Sequence, residues 1–295
     1  TGYGTPVPRV DLREPRRRGS RVRVSEPGVY RGLDENESHA HQASLWVSGA
    51  KVLLDCPAKF DYQRRHPKPS TAAMNLGSAA HKLVLGVGAE IVEVDADDWR
   101  TKAAKEARAE AEADGKMALL TKDHEMVQAM AARLRESKIA DLLLGGEGEA
   151  EVSLFSAHSS GVLRRGRIDW LPAPADRMIV ADYKTAASAE PGAFAKSIMN
   201  FRYYMQAAWY SDLIVDLGLA SSVAFLFVAQ EKDPPYEVMI CQLDADALAI
   251  GRHQNEMAIE LFVECAERNE WPGYGDEVHK LSLPFWFTRN FEEVL

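Results

Sequence analysis

Apolar positions along the chain follow two rhythms. In "NLGSAAHKLVLG", Leu76, Ala80, Leu83 and Val84 recur on one helical face, and Met126, Val127, Met130, Leu134, Ile139 and Leu142 do the same over 121–144. "GGEG" at 145–148 ends that pattern. Short apolar runs of strand length then follow at 149–156, 162–170 and 178–184, and again at 222–230 and 236–243, the last two reading as a hairpin around "DPP". A further short strand is expected at 90–94 and a polar, alanine-rich helix at 98–114. A long helix is expected over 190–217, stopping at Gly218, and a closing helix over 244–270. "SLWVSGAKVLLDCPAKFDYQRR", 44–65, reads as one helix or as two pieces broken at Pro57. The order predicts an α/β fold with one mixed sheet of about five strands and helices packed against it. No internal repeat is visible, and no glycine-rich phosphate loop follows a strand.

Composition changes this picture little. The 295 residues suit one domain over 31–295, preceded by an arm over 1–30 with arginines at 9, 13, 16, 17, 18, 21 and 23. The arm is expected to be mobile, with DNA phosphates as one potential contact. The net charge of −9 looks wrong for a nucleic-acid binder, but binding needs a local basic surface rather than a basic total. Basic residues do cluster, in the arm and at 164–167, where Arg165 and Arg167 are candidate DNA contacts. No apolar run is long enough to cross a bilayer and no signal-peptide pattern opens the chain, so a cytoplasmic protein without membrane contact is expected. Three scattered cysteines, Cys56, Cys241 and Cys265, disfavour both a disulfide framework and a four-cysteine iron–sulfur cluster.

The chemistry concentrates in "RGRIDWLPAPADRMIVADYKT". Residues two apart on a strand share a face, so Asp182 and Lys184 stand side by side with Tyr183 opposite, and Asp169 ends the preceding run. Two aspartates on neighbouring strands can hold one magnesium ion, which polarises a phosphate and activates a water. A lysine beside them can position or deprotonate that water, or stabilise developing negative charge. A bare D-x-K also reads as a surface ion pair, with Asp169 capping a turn. Glu151 can add an oxygen ligand if its strand is adjacent, and Glu149 shares its face by the two-residue period. His81 follows the small residues "GSAA", which permit close approach of that helix to a neighbour. Gln206 and Tyr210 lie four apart on one helix face, joined by Tyr203, and can contact DNA, orient a lysine, or simply form an amphipathic edge.

In order, "LLDCPAKFDYQRR", "GSAAH", a strand glutamate, "GRIDWL", "VADYKT", "QAAWY" and the tail "WPGY…LSLPFW" resemble the motifs of the PD-(D/E)xK nucleases of RecB type, over about 44–290. Within them the chain looks most like the RecE-type, exonuclease-VIII-like phage and prophage exonucleases. The resemblance implies a restriction-endonuclease-like core with His81, Glu151, Asp169 and Asp182 as metal contacts, Lys184 as the catalytic lysine, and Gln206 and Tyr210 as the pair associated with DNA. It implies a magnesium-dependent exonuclease, with manganese as a substitute and no iron–sulfur cluster. The enzyme would degrade duplex DNA ends 5′ to 3′ and leave 3′ single strands for recombination and repair. It further implies a ring of three or four subunits, a single-strand annealing protein as partner, and action in a bacterial cell or phage-infected host. The alternatives are an endonuclease or single-strand nuclease of the same class, or an inactive DNA-binding relative.

Overall fold

The computed structural model describes residues 26–33, 44–66 and 72–289. Most of the expected arm, including its arginines at 9–23, lies outside the described residues. The strands are β1 Gly28–Tyr30, β2 Ser44–Trp46, β3 Ile91–Val94, β4 Met117–Leu120, β5 Gly148–Ala157, β6 Leu163–Pro172, β7 Arg177–Ala186, β8 Ser222–Glu231 and β9 Val238–Gln242. The helices are α1 Val47–Asp55, α2 Pro57–Arg65, α3 Ala72–Leu85, α4 Lys102–Ala113, α5 Thr121–Glu136, α6 Lys138–Gly145, α7 Pro191–Asn200, α8 Tyr203–Asp216, α9 Ala245–Arg268 and α10 Phe285–Thr288.

The main sheet has seven strands, ordered β1-β5-β6-β7-β8-β9 with β2 joined in parallel to β6. The two strands beyond the expected five are β1 and β2, each three residues long, too short to show alternation. Residues 28–30 therefore belong to the sheet rather than to the arm, pairing antiparallel with Ser153–Phe155. Strands β5 to β7 run antiparallel, β7 and β8 are parallel across the α7–α8 crossover, and β8–β9 form the hairpin. β3 and β4 make a separate parallel pair, of which only β3 was expected.

The stretch at 44–65 opens with β2 and then takes the two-piece alternative, and two further expected helices are divided, each for a local reason. At 44–65 the break falls where extended Cys56 precedes Pro57 at the first turn of α2, as proline allows. At 121–144, Ser137 leaves the helix and its hydroxyl caps Ala140 N–H, starting α6. At 190–217, Arg202 adopts a left-handed backbone (φ 50°, ψ 48°) and turns α7 into α8.

Helices cover both faces of the sheet. On one face α1, α8 and α9 bury Leu53, Trp209, Leu213 and Ile259 against Val180, Phe225 and Phe227. On the other, α3, α5 and α6 bury Ala79, Ala80, Met130 and Leu144 against Ala181, Tyr183 and Val228. Strand β7 thus alternates cleanly between the two cores. Within the second core, the Tyr183 hydroxyl donates to Gln230 Oε1 (2.6 Å), whose amide donates to the carbonyls of Met130 (2.8 Å) and Tyr236 (3.2 Å). That buried chain satisfies itself and pins the second core to the strands.

Candidate active site

The sheet is distorted where the acidic residues sit. Val152 and Ile168 pack in the first core, whereas Ala150 and Trp170, two residues along the same strands, pack in the second. Regular strands would keep those pairs on one face, so both β5 and β6 switch faces at Glu151 and Asp169. Glu151 carries the switch with a positive φ of 52°, uncommon for a non-glycine residue. The β6–β7 ladder is bridged at Trp170↔Ala181. One step further Asp169 faces the Asp182 position, and here the Asp169 carboxylate replaces the main-chain acceptor, taking the Tyr183 N–H at 2.9 Å. The strands open into a slot with Asp169 in it.

Side chains enter this slot from both faces. From α3, His81 Nδ1 approaches Asp169 Oδ2 at 3.6 Å while its ring meets Tyr183 edge-on, 5.1 Å between centroids. From the α8 side, Asp182 and Lys184 stand together as alternation requires, the Lys184 ammonium against Asp182 Oδ2. Gln206 on α8 donates its amide to Asp182 Oδ1 at 2.7 Å. Asp182 is only 2% exposed, and burial pushes its carboxyl up to about 6, with Lys184 opposing and Asp169 adding to the rise. For Lys184 burial works against the charge, but Asp182 and Asp169 outweigh it and hold the ammonium above its ordinary range. Burial thus favours the proton on Asp182, while the two aspartates favour the charge on Lys184.

The remaining candidates lie beneath or beside this centre. Tyr210 packs on Gly166, where a Cβ would come within 2.7 Å of its ring, and burial pushes its phenol far up. Gln206 is 8% exposed and supports the Asp182 carboxylate from below, whereas the Tyr210 phenol bonds to the Arg167 main chain. Arg167 is spent on Glu151 in an ion pair. Arg165 is buried with its guanidinium 4.6 Å from the Trp46 ring centroid, and burial lowers it to about 10. Neither arginine is offered to solvent as a free cation. Glu149 points elsewhere, to Arg31 at 2.5 Å, which separates it from Glu151. The expected shared face of the two glutamates is lost because the left-handed turn at Glu151 breaks the period.

Sequence reasoning missed Lys51 on α1, which feels the charges of Lys184 and Asp182. Its signal was a single lysine inside the apolar stretch "VSGAKVLL".

The donors fit a hard divalent cation by type: Asp169 and Asp182, with His81 and Glu151 nearby. Asp182 Oδ2 is buried in ion contact with Lys184 yet lacks a well-directed hydrogen bond, and the two carboxylates repel each other across the slot. A cation between them would relieve both. Among the described residues no three His, Cys, Asp or Glu side chains converge into a cage. The fit is therefore to a two-carboxylate site that leaves other positions to water and phosphate, as magnesium sites commonly do.

No curated protein matches the chain. Among solved structures, a candidate exonuclease from Eubacterium rectale is similar, with a TM-score of 0.59 and 14% identity over 90% of this chain and 100% of that one. At that identity the likeness shows the fold, a restriction-endonuclease-like α/β core. Residues 47–283, which include His81, Glu151, Asp169, Asp182, Lys184 and Gln206, match a family profile, and the chain belongs to that family, the PDDEXK-like domain of unknown function (DUF3799).

Proposed function

We propose that this protein is a metal-dependent DNA exonuclease that hydrolyses phosphodiester bonds from duplex ends, 5′ to 3′, leaving 3′ single strands for recombination. One observation carries the reading: Asp169, Asp182 and Lys184 meet at the slot where β6 and β7 part, with Gln206 fixing the buried carboxylate. PDDEXK nucleases generally use a divalent metal such as magnesium. Asp169 and Asp182 would hold it, with His81 at the edge and Glu151 within the distorted strand. When bound, the ion would supply polarisation of the scissile phosphate and a lowered pKa for a coordinated water.

The chain's own residues do the rest. Lys184, charged at neutral pH, serves as a donor to the phosphate oxygen on which negative charge builds, rather than as a base. Gln206 holds Asp182 in one orientation, so the carboxylate presents a fixed edge to the slot. Arg167 and Glu151 neutralise each other beside it. Assembly as a ring of three or four subunits and cooperation with a single-strand annealing protein belong to the same proposal.

The test is digestion of a linear duplex labelled at the 5′ or the 3′ end, beside a covalently closed circle, in magnesium, manganese or EDTA. Release of 5′ label that needs metal, a spared circle and an inert Lys184→Ala are the expected results. A cut circle would move the assignment to an endonuclease. Cleavage of nothing under any condition would leave a DNA-binding relative.

A further inference from the structure

The elbow between α7 and α8 carries features that the hydrolytic centre does not use. Phe201 is 59% exposed there, beside the exposed Met199. Its ring stacks on Tyr203 (centroids 5.6 Å, 28° between planes), which stacks on the buried Phe227 (5.5 Å, 30°). This aromatic column starts in the core and ends, open to solvent, at Phe201. Two ammonium groups border it: Lys184 Nζ lies 5.2 Å and Lys51 Nζ 5.7 Å from the Tyr203 ring centre.

The elbow is firmly held. Lys51 donates to the Phe201 carbonyl (2.7 Å), while Arg202 donates to the Lys51 carbonyl (3.0 Å) and to Asp55 Oδ1 (2.6 Å). Those bonds offset the cost of the left-handed backbone at Arg202.

A lone exposed aromatic is ordinary on a protein surface. Phe201 differs in standing on a backbone held by hydrogen bonds, open on its outer side, and stacked on the very ring that Lys184 borders. Aromatic faces accept any base, and cations beside them take the backbone phosphates. Resting on the nuclease reading, we propose that Phe201 and Lys51 form a nucleotide subsite beside the hydrolytic centre. A base next to the scissile phosphate extends the Phe227–Tyr203–Phe201 column, and Lys51 takes the neighbouring phosphate. Burial, and then Lys184, holds the Lys51 ammonium down to about 8, and with no carboxylate among the described residues bonded to it a phosphate alongside would offset that loss. One ring and one methionine are too small an apolar area for a protein or lipid surface. Stacking without base-edge contacts makes the subsite tolerant of sequence.

The test titrates the full chain, in EDTA to prevent hydrolysis, into blunt duplexes carrying 2-aminopurine at one of the terminal nucleotides of either strand. Wild type should quench the probe at one position. Phe201→Ala should abolish that quenching and weaken binding ~10-fold, and Phe201→Tyr should retain both. Lys51→Gln, which leaves the Arg202 bonds to the residue 51 main-chain carbonyl and to Asp55 holding the elbow, should keep the quenching but lower the slope of log Kd against log salt by about 0.9, the value of one phosphate contact. Where Phe201→Ala melts early, Phe201→Leu, which keeps apolar bulk without a ring, decides the point. Unchanged quenching without the ring, or an unchanged salt slope without Lys51, overturns the subsite. Normal cleavage alongside either result would spare the nuclease reading. Wild type that neither binds nor cuts DNA ends would remove both.

Discussion

Lys184 and Asp182 illustrate a buried ion pair whose members are unequal in what their loss would do. Removing one partner of such a pair strands the other charge, at a cost of about 3–5 kcal/mol. Lys184→Met takes away the charge that opposes the rise of the Asp182 carboxyl, which then climbs beyond about 6. An acid whose folded pKa is raised binds its proton more tightly in the folded state, so its contribution to stability falls as pH rises from the unfolded value, 3.8, through the folded one. The melting temperature of Lys184→Met should therefore sit close to wild type at pH 5 and well below it at pH 8. Adding Asp182→Asn should restore most of the difference. Thermal melts across that range check this, and a deficit independent of pH would refute it. Gln206→Leu is milder: it leaves Asp182 Oδ1 without its donor, costing about 2 kcal/mol for a hydrogen bond to a charged group. Its cleavage rate should fall as well, since the carboxylate loses its fixed orientation. The D-x-K pair was legible in the sequence because strand alternation alone puts Asp182 and Lys184 together. The support from Gln206 was not, because its helix had to be docked against β7 first.

Helix α8 is the element on which that docking depends, and two glycines set its position. On β6, a Cβ at Gly166 would meet Tyr210 Cε1 at 2.7 Å and Leu213 Cδ1 at 2.8 Å. On α9, a Cβ at Gly251 would meet the Tyr204 carbonyl oxygen at 2.3 Å, a backbone atom that cannot swing away. Gly251→Ala should therefore cost the ~1–3 kcal/mol of an overpacked core, lowering the melting temperature by about 2–6 °C. Gly166→Ala pushes on side chains one turn from Gln206, so its loss should appear more in cleavage rate than in the melt. Calorimetry and a cleavage assay on both variants separate the two. The long strands and most helices were readable from periodicity, yet the start of α8 was not. "NFRYY" contains neither glycine nor proline, and the left-handed Arg202 is held by Lys51 and Asp55, some 150 residues away in sequence. Phe201 and Lys51 were missed for the same reason: their meaning lies in a contact between distant elements.

At the scale of the whole molecule, the slot joins two hydrophobic cores that otherwise lie on opposite faces of one sheet. Tyr183 and Asp169 belong to both sides, the ring packed in the second core and its N–H bound to the carboxylate in the slot. Filling the slot should then be felt throughout the fold. A ligand that binds only the folded state stabilises it by RT ln(1 + [L]/Kd), about 2.7 kcal/mol at a hundredfold excess over Kd. For a domain of this size that raises the melting temperature by several degrees. The chain's net charge of −9 means that any salt also screens self-repulsion, so the comparison must be made at constant ionic strength, with sodium replacing magnesium. Under that control magnesium should raise the melting temperature of wild type, EDTA should reverse the rise, and Asp169→Asn and Asp182→Asn should each abolish it. Asp182→Asn removes the buried charge that burial disfavours, so its own melt without metal should fall less than that of Lys184→Met, even as it loses the response to magnesium. Equal stabilisation of wild type and both asparagine variants would mean that the ion acts on the surface, and the two aspartates would then no longer be assigned as its ligands.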